Sequence, residues 1–96
     1  MTHSLDFYRK VMIMVINVET IVNKKIKEAV PVFPGSGTIR NLIKNSETLT
    51  NIDISILYSF LRFSMEMNVT DTEEYKSVYE IVYNHEKRKM KGDNIL

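Results

Sequence analysis

The sequence predicts an all-α fold, a compact bundle of three long helices and one short one, from three patterns. Apolar residues recur at steps of three and four through Tyr8, Val11, Val15, Val18, Val22, Ile26 and Ala29. The same period returns in Tyr75, Val78, Tyr79, Val82 and Tyr83, with Glu74, Lys76, Ser77 and Glu80 on the opposite side. Between these segments, Ile54, Ile56, Leu57, Tyr58, Phe60, Leu61, Phe63, Met65 and Met67 surround a narrow polar stripe of Ser55, Ser59, Arg62 and Glu66.

Ser4 is a suitable cap for the first helix, which the period carries from about Ser4 to Val30. The run Val11 to Ile16 is apolar all round and rich in β-branched residues, so a buried strand is the rival there. The period continues well past strand length and favours helix. Pro31 ends it, and Pro31 to Gly37, with its prolines and glycines, reads as a loop. Ile39, Leu42 and Ile43 then mark a short helix that fades in the polar stretch Asn45 to Thr48.

Asp53 is expected to cap a third helix running to about Asn68, with apolar side chains on nearly every side and a place at the centre of the fold. Thr70-Asp71-Thr72-Glu73 has the spacing of a capping box, which starts a fourth helix near Asp71. That helix continues through His85 to Lys91 and stops at Gly92 as a C′ residue, leaving the last four residues to fray. Residues 1–96 form a single helical domain, with 85–96 as a basic C-terminal extension.

Composition narrows the function classes. A chain of 96 residues with 44% apolar content builds one modest core. The absence of cysteine excludes disulfides, thiolate nucleophiles and zinc-thiolate sites, and suits a reducing compartment. The longest apolar run, Val11 to Ile16, falls far short of the roughly 18 to 20 residues that a membrane span needs. The N-terminus lacks the basic and apolar regions of a secretory signal, so a cytoplasmic location is expected. A net charge of +1 excludes a histone-like protein but leaves local basic patches open. Frequent asparagine, isoleucine, lysine, threonine and methionine resemble the products of AT-rich genomes, as in many phages and low-GC bacteria.

No constellation for catalysis, cofactor binding or metal binding emerges. His85-Glu86 would need a second histidine at position 89 to resemble a zinc-protease helix, and residue 89 is lysine. Gly35-Ser36-Gly37-Thr38 before a helix, with Arg40 one turn in, could present amides to an anion, but it lacks the lysine of a Walker loop and is better read as a connector. Asp71, Glu73 and Glu74 suit the positive end of a helix better than acid-base work. Tyr75, Tyr79 and Tyr83 could stack on bases, although their register with Val78 and Val82 favours packing, and Met65 and Met67 are expected to fill the core.

Two basic segments remain as candidate DNA contacts: Lys87, Arg88, Lys89 and Lys91, and Lys24, Lys25 and Lys27. Both also have a structural reason to exist, since cations are favoured near a helix C-terminus. The expectation is a non-enzymatic binding protein without cofactor or small-molecule substrate. Its partner is double-stranded DNA or another protein, and a homodimer is compatible with the sequence.

Ile26-Lys27-Glu28-Ala29, Leu42-Ile43-Lys44, Asp53 opening an apolar helix, Thr72-Glu73-Glu74, Tyr79-Glu80 and Val82-Tyr83 together cover about two-thirds of the chain. In these segments it resembles the small double-stranded-DNA-binding proteins that T-even-type bacteriophages associate with late transcription. The resemblance implies a small helical accessory factor in transcription regulation, working in the cytoplasm of a bacterial host. Phe63-Ser64-Met65 stands where that family carries an aromatic-basic segment, so the likeness transfers no individual DNA-contacting residue. Leu57-Tyr58 and Thr72-Glu73-Glu74-Tyr75 are similar to cytosolic bacteriocin-immunity proteins, four-helix bundles of comparable length. That second resemblance implies an inhibitor acting on a host or membrane-associated protein partner.

Overall fold

The computed structural model describes residues 17–92 of the chain, and within them the fold is all-α with no strand. Helix α1 covers residues 17–28, α2 Ser36–Lys44, α3 Asn51–Glu66 and α4 Glu73–Gly92. The proposed Ser4 cap, the choice between helix and strand for Val11 to Ile16, and the last four residues lie outside the described part.

Each helix ends for a local reason. The Ala29 amide donates to the Ile26 carbonyl at 3.2 Å to close the last turn of α1, ahead of the predicted stop at Pro31. Gly35 precedes α2 with φ of 103°, a conformation that a residue with a Cβ adopts only under strain. Helix α3 is capped by Thr50, not by Asp53: the Thr50 hydroxyl accepts from the Asp53 amide at 3.1 Å, and the Asp53 carboxylate accepts from the Thr50 amide at 3.0 Å. Asp53 is therefore the third helical residue of a capping box. At the other end Asn68, with φ of 57°, lets the Asn68 and Val69 amides donate back to the Met65 and Ser64 carbonyls, a Schellman closure.

The Thr70 capping box is likewise displaced. The Thr72 hydroxyl accepts from the Tyr75 amide at 3.2 Å, so Thr72 leads into α4 and Thr70 is exposed. Gly92 is itself helical, within α4, and not a cap beyond it.

The core gathers Val18, Val22 and Ile26 from α1, Ile39 from α2, Ile54, Leu57, Phe60 and Leu61 from α3, and Val78 and Val82 from α4. Helix α4 packs against both α2 and α3. Its buried positions continue at steps of four through Val78, Val82, Glu86 and Met90, so the packed face runs two turns beyond the predicted pattern. Helix α3 is less enclosed than its composition predicts. Met65 and Met67 are 46% and 59% exposed, not core filling, because they stand at the C-terminal end of α3, past the last buried turn. The tyrosines of α4 sit at the core margin, half-buried beside fully buried Val78 and Val82.

Candidate functional site

The connector after α1 is laid along α3. The Val32 amide donates to the Ser59 carbonyl at 3.4 Å, and the Phe33 ring stacks on Phe63 with centroids 5.4 Å apart and contacts Phe60 at 6.4 Å. Phe60 belongs to the core, yet Phe33 remains 48% exposed. Ile52 and Met67 lie on the same side of α3 as Phe63 by helical spacing, and both are exposed, as are Val30 and Val32 in the connector. Phe33 and Phe63, with exposed Val32 and Met67 next to them in the chain or one turn on, make an apolar side of α3, and Ile52 lies on the same line about three turns toward the N-terminus. The flank of this side is ordered by Arg62, which donates to the Glu66 carboxylate at 2.8 Å and to the Lys27 carbonyl.

A polar junction lies on the other side of α3. Glu86 of α4 is 3% exposed, and its Oε2 accepts from Lys25 Nζ of α1 and from the Tyr58 hydroxyl of α3, each at 2.8 Å. Lys25 Nζ also lies 5.8 Å from the Tyr58 ring centroid. Burial alone would raise the Glu86 carboxyl, but the hydrogen bonds from Lys25 and Tyr58, with the charges of Lys25 and Lys89, outweigh it and hold the group below the usual carboxylate range. Burial, and then the hydrogen bond to Glu86, push the Tyr58 hydroxyl far up, so it serves as a neutral donor. His85 next to this junction is held down first by burial; Glu86 opposes that, while Lys89, Arg88 and Lys25 add to it.

These positions redefine the basic segments. Lys25 is engaged with Glu86, whereas Lys24 and Lys27 are exposed on α1. Lys87, Arg88 and Lys91 are spaced by three and four residues and share one side of α4, while Lys89 lies about 100° beyond Arg88 on another. Lys25 and Lys89 both line a groove with Glu86. Ser36 and Gly37 form the first turn of α2 and not part of the connector, and Arg40, one turn on, lines with Lys44 a groove shared with Glu73 and Glu74, whose carboxylates oppose an anion. Tyr75 and Tyr79 stack at 6.3 Å, the Tyr79 hydroxyl donates to Asn23 Oδ1 at 3.4 Å, and both rings flank a shallow trough with Tyr83. Among the described residues no cluster of histidine and carboxylate side chains could hold a metal ion, and no helix is long and apolar enough to cross a membrane.

No family model, curated protein or solved structure matches this chain.

Sequence reasoning overlooked two parts of this surface. Glu86 carried a signal, a carboxylate in the register of Val78, Val82 and Met90, where a charged residue requires a partner. Phe33 carried none beyond being a large aromatic between two prolines, since its contact with Phe63 spans a connector and two helices.

Proposed function

We propose that this protein is a non-enzymatic binding module that recognises another protein through the apolar surface centred on Phe33 and Phe63. One observation carries the reading: a stacked aromatic pair, with exposed Val32 and Met67 beside it, left open to solvent on an otherwise mixed-charge molecule. Contiguous exposed apolar groups on a small domain mark interaction sites, and aromatic and methionine side chains are enriched in interface cores. The matching partner is a protein segment that presents apolar side chains to this surface.

Double-stranded DNA is the second reading, favoured by the approach of Lys25 and Lys89 from two separate basic segments. The net charge of +1 and the pairing of Lys25 with Glu86 count against it.

Selecting a random-peptide library on the full chain separates the two. The protein reading expects enriched peptides with apolar anchors whose affinity drops at least about tenfold for Phe33→Ser, with helicity unchanged. Absence of enrichment, together with salt-dependent binding of a duplex of about 30 base pairs, would replace it with the DNA reading.

A further inference from the structure

Between α1 and α2 the chain reads Val30-Pro31-Val32-Phe33-Pro34-Gly35, and residues 30–35 form neither helix, strand nor turn. The two prolines hold φ near about −65°, and Val30 and Phe33, each preceding a proline, are kept out of the helical region. With Val30, Pro31, Phe33 and Pro34 so restricted, polyproline II is the conformation this segment favours. Pro31 has an ordinary place just past the end of α1, where a helix commonly stops. Pro34 has none: α2 starts at Ser36, so Pro34 does not take the first helical position that suits proline.

Polyproline II repeats every three residues, so Pro31 and Pro34 share one edge, one turn of roughly 9 Å apart. Phe33 belongs to another edge, and the stacking of its ring on Phe63 turns that edge toward α3. The Val32 amide is held on the Ser59 carbonyl. The proline edge is left facing away from α3, with Pro31 exposed and Pro34 half-buried. The carbonyls of Val30, Pro31, Val32 and Phe33 accept no backbone hydrogen bond among the described residues. An aromatic groove grips such a ligand from one side: its rings pack against the prolines, and the polar tips of tyrosine or tryptophan donate to the carbonyls. The fold already carries the ordering cost, because the amide contact and the ring stack fix the segment before a partner arrives.

We propose that Pro31-Val32-Phe33-Pro34 is a presented polyproline II ligand whose partner is a protein domain with a groove lined by tyrosine or tryptophan rings. Pro31 and Pro34 fill successive spaces between those rings, and Phe33 stays packed on α3. The proposal rests on the protein-partner reading and adds a second contact to it, since the proline edge and the Phe33–Phe63 surface face different ways.

The test titrates the isotope-labelled full-length chain with a panel of purified polyproline-binding domains, some with tyrosine-lined and some with tryptophan-lined grooves, each first checked with a proline-rich peptide that it binds. At least one domain should shift the amide signals of Val32, Phe33 and Gly35 saturably, with Kd on the order of 100 µM. Excess proline-rich peptide should displace the chain. Pro34→Ala, with helicity checked by circular dichroism, should weaken binding at least about fivefold, because both the ring and the pre-set backbone are lost. Met67→Ser, outside the segment, should leave it unchanged. Binding to no domain in the panel overturns the proposal, as does binding that survives in Pro34→Ala or resists the competing peptide. Failure of the apolar surface shows elsewhere: library-selected peptides should lose affinity for Met67→Ser and keep it for Pro34→Ala, so each contact fails in its own variant.

Discussion

The Tyr58 hydroxyl donates to the Glu86 carboxylate at 2.8 Å across the packed faces of α3 and α4, and both side chains are buried. Lys25 completes the junction from α1, so one carboxylate ties three helices together. Removing one donor from a buried charge costs more than the bond itself contributes, because the charge is left less solvated. Tyr58→Phe is therefore expected to lower unfolding free energy by about 1.5 to 3 kcal/mol in a denaturant titration. Lys25→Met, at a partly exposed position, should cost less, about 1 to 2 kcal/mol. Replacing both should cost less than the sum, as expected for members of one network.

The same junction sets the response to acid. His85 is held low in the fold, so the unfolded chain takes up a proton first; stability present above about pH 6.5 declines as pH falls through the lower folded value. Glu86 is also held low, and its contribution, present above about pH 4.3, is lost as pH falls through its own folded value. Denaturant midpoints measured from pH 8 to 3 should fall in two stages. His85→Asn should flatten the upper stage and Glu86→Gln the lower one. A single unchanged stage in both variants would mean that neither group is held as described.

The caps give a sharper contrast. Thr50→Ala removes a reciprocal capping box and should cost about 1 kcal/mol. Thr70→Ala, at an exposed residue that caps nothing, should stay within about 0.5 kcal/mol. Thermal or denaturant unfolding of the two variants side by side decides which threonine is the cap.

These details mark where sequence periodicity is informative and where it is not. The steps of three and four found the regions of α1, α3 and α4, because one-sided burial leaves that imprint directly. Ile39, Leu42 and Ile43 located α2 for the same reason. Cap assignment failed twice by a few residues, since Thr50 and Asp53, like Thr70 and Thr72, are all acceptable caps and only tertiary packing selects the first turn. The all-round apolar character of α3 suggested full enclosure. Instead, the side bearing Ile52, Phe63 and Met67 is open, and local composition does not show how many neighbours a helix has. The partners of Glu86 lie 28 and 61 residues away in sequence, beyond the reach of any local pattern.

The most direct test of the protein-binding account is the affinity of one library-selected peptide for the parent chain and for Phe33→Ser, at low and at moderate salt. Buried apolar contact predicts a loss of at least about tenfold on substitution at both salt concentrations, with the helical signal and unfolding midpoint of the variant close to those of the parent. Equal affinity for the two chains would contradict recognition through Phe33, as would binding that vanishes at moderate salt regardless of the residue at position 33.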